Sequence, residues 1–129
     1  MKDIFTIEKI NRITSIRFKK APILDDLKRI IDLLADNYPY EKRLWDLSGI
    51  GFDLSTSDIR TIAEYGKQKF IKPSFIAMVA PDDLAFGEMR AFEVYREQHR
   101  HAVARVFRSR SEAIDWLNEQ PVEDQLSEN

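Results

Sequence analysis

The sequence predicts a single α/β domain: a mixed five-stranded sheet with an N-terminal antiparallel hairpin and four helices, in the order β-β-α-β-α-β-α-β-α. Three observations carry this. Short apolar segments alternate with longer stretches in which apolar residues recur every three to four positions, the pattern of strands between helices. The link around Lys9–Arg12, between the first two strand-like segments, is short enough for a hairpin, which makes that pair antiparallel. Every later strand is reached through a helix, and such connections return the chain parallel to itself by right-handed crossovers.

Residues 3–8 and 13–19 read as the first two strands. In the second, Thr14, Ile16 and Phe18 alternate with Ser15, Arg17 and Lys19, giving one apolar and one wet face. Pro22 suits the first turn of a helix, where its missing N–H has no bond to lose. Ile23, Leu24, Leu27, Ile30, Ile31 and Leu34 then form one apolar stripe, and Asn37 and Pro39 stop the helix. Leu44–Leu47 is the third strand. Ser55 or Ser57 caps the next helix, with Asp58 three residues after Ser55, and Ile59, Ile62, Ala63, Gly66 and Phe70 share its inner face. The continuous apolar run Phe75–Ala80 predicts a central strand covered on both sides.

Pro81-Asp82-Asp83 opens the third helix with acids at the positive end of its dipole. Ala85, Met89 and Phe92 form its inner face, flanked by Phe86 and Tyr95. Gly87 is unusual there: glycine inside a helix is about 1 kcal/mol worse than alanine unless close packing demands it. Ala102–Phe107 is the last strand. Ser109 with Glu112 forms a capping box for the last helix, whose stripe is Ala113, Ile114 and Leu117 with Trp116 at its edge.

The 129 residues suffice for one buried core, residues 1–118, and 119–129 form an acidic tail expected to fray. That tail holds four acids and no Lys or Arg, leaving the body with 20 basic and 18 acidic residues. A near-neutral body gives no electrostatic reason to expect nucleic acid. No apolar run reaches the roughly 20 residues of a membrane span. The opening MKDIFTIEK lacks the apolar core of a secretory signal, so the cytoplasm is the expected location. With no cysteine, disulfides, thiol nucleophiles and zinc-thiolate sites are excluded.

The chain is organised around Lys42–Ile59, KRLWDLSGIGFDLSTSDI, a strand running into a Ser-Gly turn, a polar loop and a helix start. This stretch resembles the STAS domain of bacterial anti-sigma-factor antagonists. There a strand ends in a DLSG-like turn and a D-S-S-G-like loop opens the next helix. Asp46-Leu47-Ser48-Gly49 stands in the first position and Asp53-Leu54-Ser55-Thr56-Ser57 in the second. The C-terminal half resembles the SpoIIAA-like branch, related to STAS and CRAL-TRIO domains. Its matching residues are Ala80-Pro81, Phe86-Gly87-Glu88-Met89-Arg90-Ala91-Phe92, Val106-Phe107-Arg108 and Glu112-Ala113-Ile114-Asp115-Trp116-Leu117. The resemblance implies a regulatory or protein-interaction module without enzymatic activity or cofactor. It also implies that the phosphate-accepting position falls on Ser55 or Thr56, according to whether Asp53 or Leu54 takes the family's aspartate. The family's following glycine is then Thr56 or Ser57, a departure from the switch pattern.

Read from the residues alone, each candidate has two uses. Ser55, Thr56 and Ser57 lie where a helix start offers N–H groups to a phosphate, or where one of them is simply the cap. Asp46 is either an acid–base group at the carboxyl edge of the sheet or an acceptor ordering the Gly49–Phe52 turn. His99 and His101 form an H-x-H pair without the further ligands a metal needs. Arg96, Arg100, Arg105, Arg108 and Arg110 cluster in sequence, as an anion-binding or a solvated face; Arg90, with Arg105 and Arg108, is a candidate anion contact or, instead, an ion-pair partner. Phe86, Met89, Phe92 and Tyr95, with Trp116, either line a pocket for an apolar or anionic, lipid-like ligand or form core and homodimer contacts. No nucleophile–base pair or metal set is legible. The expectation is a protein-binding module acting through Ser48–Ser57 and its helix, with a small-ligand carrier as the alternative.

Overall fold

In a computed structural model, residues 4–38, 41–70, 72–97 and 102–121 are described. The elements are β1 (Phe5–Ile10), β2 (Ile13–Phe18), α1 (Leu24–Asn37), β3 (Lys42–Asp46), α2 (Thr56–Lys69), β4 (Ser74–Val79), α3 (Asp83–Glu97), β5 (Ala102–Phe107) and α4 (Arg110–Glu119). The strands lie in chain order, β1-β2-β3-β4-β5. β1 and β2 are antiparallel, joined by the two-residue link Asn11-Arg12, where Asn11 takes φ 50°, a left-handed conformation asparagine tolerates. The remaining pairings are parallel.

Strand order explains the layering. Right-handed crossovers that step in one direction across a sheet put every connecting helix on the same face. α1 packs on α2 and α2 on α3, while α4, which follows the last strand, folds back onto β3, β4 and β5. The larger core lies between the sheet and α1–α3, where Ile16, Leu34, Ile59, Ile76 and Ala104 are buried. A second core under α4 joins Ile13, Leu44, Ala77, Val79, Ala113 and Leu117, with Trp116 packed on Phe75 and Phe107.

The period-two reading of β2 needs one correction. Arg17 and Lys19 on its wet face are exposed as expected, but Ser15 is fully buried under the start of α4. Its hydroxyl accepts a hydrogen bond from Arg110 Nη2 at 3.0 Å. At the start of α1, Ile23 is the N-cap in extended conformation and 62% exposed, so it leaves the apolar stripe, and Pro22 lies before the helix. The Asp26 carboxylate accepts the Ile23 N–H at 2.9 Å. Phe70 is the C-cap of α2, half-buried against the main core. β3 starts two residues earlier than its apolar run, because β2 and β4 pair with Lys42 and Arg43 from both sides. Gly87 is exposed and nothing lies within 4 Å of an added Cβ, so close packing does not explain it. Glu119 is the last residue of α4; residues 122–129 of the expected tail lie outside the described ones.

Candidate functional site

The loop that follows β3 is built by alternation. Asp46 ends the strand with its carboxylate inside, and its Oδ1 accepts the Ser48 N–H at 2.9 Å, which turns the chain. Gly49 has φ 78°, the left-handed region where a Cβ strains the backbone. Beyond it Phe52 and Leu54 are buried, while Gly51, Asp53, Ser55, Thr56 and Ser57 are exposed. The Leu54 N–H donates to Glu88 Oε1 of α3 at 2.7 Å, so the loop is tied down through its backbone as well as its apolar anchors. Ser55 is the N-cap of α2, its Oγ accepting the Asp58 N–H at 3.0 Å, and Thr56 and Ser57 open the helix. The Ser57 carbonyl accepts the Thr61 hydroxyl.

Asp46 is held from a second direction. Arg110 Nη1 donates to its Oδ2 at 3.0 Å, and Arg17 Nε lies 3.4 Å from the same oxygen. Arg110 Nη2 also reaches Glu8 at 3.1 Å. Burial alone would raise the Asp46 carboxyl, but the Ser48 and Arg110 hydrogen bonds outweigh it and hold it below the usual carboxylate range. A carboxylate stabilised this way is a fixed anion that joins β1, β2, β3 and α4. The reading from sequence looked for its donors in Gly49–Phe52; they are Ser48, Arg110 and Arg17.

The arginine run is dispersed rather than gathered. Arg105, on the α4 side of β5, lies 5.8 Å from the Trp116 ring centre. Arg108 sits 4.1 Å over Phe86 and donates to the Pro81 carbonyl and to Asp83. Arg90 is on the opposite layer, on α3, 3.6 Å from Glu93. Arg96 is not on a solvated face at all: it is 1% exposed. Arg100, His99 and His101 lie outside the described residues. Among the described residues no three His, Asp or Glu side chains come together in a way that could hold a metal ion.

Beneath the loop, between the sheet and α1–α3, lies a cavity of about 60 Å³. Met89 and Phe92 of the expected pocket line it. Phe86 instead lies under Arg108, and Tyr95 lies under Arg60, whose Nη2 it accepts at 3.4 Å. The loop contributes Phe52 and Leu54 to the wall, and the sheet contributes Trp45 and Met78. Arg43, missed from sequence, and Arg96, singled out there only as one of an arginine run, complete it. Both could have been found by period: Arg43 alternates with Trp45 and Leu47, and Arg96 follows Met89 and Phe92 by seven and four residues. The Arg43 guanidinium stacks 3.8 Å over Phe70. Burial lowers Arg43 to about 9, with the Arg96 charge adding to the effect, and lowers Arg96 to about 10. Both remain cations at neutral pH. Glu88 is displaced too: burial, then the nearby Asp53 and Asp82 carboxylates, push it up to about 7 against the Leu54 N–H that favours its charge.

No family model matches the chain, and no curated protein matches it significantly. Among the described residues no helix is long and apolar enough to cross a membrane. Solved structures share the fold, two of which illustrate it. A proposed anti-sigma factor antagonist from Thermotoga maritima superposes with a TM-score of 0.62 at 16% identity, over 89% of this chain and 95% of that one. An uncharacterised DUF3478-family protein with a SpoIIAA-like fold, from Shewanella loihica, gives a TM-score of 0.55 at 16% identity, over 88% and 91%. They do not extend to the CRAL-TRIO relation. The mixed five-stranded sheet with four helices is a SpoIIAA-like fold.

Proposed function

We propose that this chain is a non-enzymatic regulatory module of the cytoplasm that presents the loop 48–57 and the start of α2 to a protein partner. The observation that carries the reading is the loop's alternation: Phe52 and Leu54 are anchored in the core while Asp53, Ser55, Thr56 and Ser57 face outward. A loop held in one conformation by apolar anchors and a backbone hydrogen bond loses little freedom on binding, which favours recognition. The likeness to a proposed anti-sigma factor antagonist supports the reading at the level of the fold. In its most specific form the module is switched by a phosphate on Ser55 or Thr56, next to the free N–H groups of the α2 start.

The test is site-specific photo-crosslinking in the native host, with the reactive residue at position 53 and, as control, at exposed position 115 of α4. The expected result is one discrete protein adduct from position 53 that position 115 does not give. Equal adducts from both positions, or none from position 53, would overturn the reading. Intact-mass analysis of the protein from its host then addresses the switch. A phosphate mapped to Ser55 or Thr56 is the expected finding, and phosphate absent under every growth condition tried removes that form.

A further inference from the structure

A buried cation normally has its hydrogen-bond needs met by neighbouring groups. Arg96 departs from this: it is 1% exposed, and its Nη2 has no hydrogen-bond partner among the described residues. Its guanidinium lies against the backbone of α2, where an added Cβ at Gly66 would be 3.5 Å from Nε, and it forms part of the cavity wall. Arg43, 2% exposed, forms another part of that wall, and the Arg96 charge adds to the burial that disfavours its cation. Thr14, the register neighbour of Arg43 on β2, is also buried, with its Oγ1 unpartnered among the described residues. The carboxylate whose field reaches Arg96 is Glu64, on the exposed side of α2. The rest of the wall is apolar: Leu27, Ile31, Trp45, Phe52, Ile76 and Met78 are typical.

We infer that this cavity is a binding site for a small monocarboxylate with a short apolar tail, its carboxylate paired with Arg96 and Arg43 and its tail against the sheet. A guanidinium presents a planar fork of N–H groups that matches a carboxylate. Two such groups in an otherwise apolar wall suit an anion whose charge sits at one end. Sulfate and phosphate fit poorly, because every one of their oxygens needs a donor and the wall apart from Arg43 and Arg96 is apolar. Size narrows the class further. One water fills about 10–15 Å³ on the scale of cavity volumes, so a cavity of about 60 Å³ takes a ligand of about four to six heavy atoms, the range from acetate to butyrate. The site does not depend on what binds the exposed side of the loop.

The probes are sodium acetate, propionate, butyrate and octanoate, against sodium chloride and sulfate at equal ionic strength, titrated into the full chain. Binding is followed by thermal shift and by the methyl resonances of Met78 and Met89, which both line the cavity. Propionate or butyrate is expected to raise the melting temperature in a saturable way and to move both methyl signals. Arg96→Met, an unbranched apolar replacement that removes a buried charge, should still fold and bind at least about tenfold more weakly. Arg105→Met, exposed on the other side of the sheet, should bind like the parent. Equal stabilisation by sulfate, unmoved Met78 and Met89 methyls, or undiminished binding by folded Arg96→Met would each overturn the inference. Octanoate binding more tightly than butyrate would overturn the size argument and point to a longer ligand.

Discussion

Replacing Glu88 with glutamine tests how the loop is held. The wild-type carboxyl accepts the Leu54 N–H at 2.7 Å, yet burial, joined by the nearby Asp53 and Asp82, pushes it up from 4.5 to about 7. An acid raised in the folded state holds its proton more tightly there than in the unfolded chain. Stability is therefore full below the unfolded value, falls as pH rises from about 4.5, and levels off above about 7. At 1.36 kcal/mol per pKa unit the whole displacement corresponds to about 3 kcal/mol at most. Glu88 is partly exposed, and solvent screening reduces this to on the order of 1 kcal/mol. Glutamine keeps an oxygen acceptor for Leu54 and has no charge to repel Asp53. Urea unfolding, followed by tryptophan fluorescence at about pH 5, 6, 7 and 8, gives the comparison directly. Subtracting the two proteins cancels every other group's titration. The variant should match the parent at about pH 5 and exceed it by about 1 kcal/mol at about pH 8. Parallel pH profiles would refute the argument that ionising the half-buried Glu88 beside Asp53 costs stability. A variant weaker at every pH would show that the charge itself is needed to hold Leu54.

Three further substitutions probe other parts of the frame. Gly87→Ala places a methyl group into open space on an exposed helix interior and should stabilise the protein by about 1 kcal/mol, a rise of about 2–8 °C in Tm; an unchanged Tm would contradict this. Asp46→Asn leaves Arg110 without its buried anion and should destabilise by about 2–4 kcal/mol in urea unfolding. Because the Asp46 carboxyl is depressed on folding, the stability it supplies is present at neutral pH and lost as pH falls through the carboxylate range, so the gap to the Asn variant should close in acid. Ser55→Ala removes the α2 cap and should lower stability by about 1 kcal/mol, whereas Ser55→Asp, also a good cap, should recover most of it; equal losses in both would argue that Ser55 is not acting as a cap.

Periodicity and end signals are local properties, and they determined much of this protein. The helical stripe Leu27-Ile30-Ile31-Leu34, the caps at Ser55 and Ser109, and the apolar run around Ile76–Val79 each report on the few residues beside them, and each lies in the expected element. The same local signals located the loop after β3, because Gly49 and the capping serine are needed within the loop itself. Only the tertiary structure decided what covers the second face of β2, since α4 arrives there from the far end of the chain and buries Ser15 against Arg110, 95 residues away. It also decided which charges go inside. Arg43 and Arg96 belong to different elements and come to line one cavity only once α3 has packed over the sheet that holds β3. Glu88 reaches Leu54 across 34 residues for the same reason. A side chain's period names the face it occupies, but the charge environment of that face is set by chain segments distant in sequence.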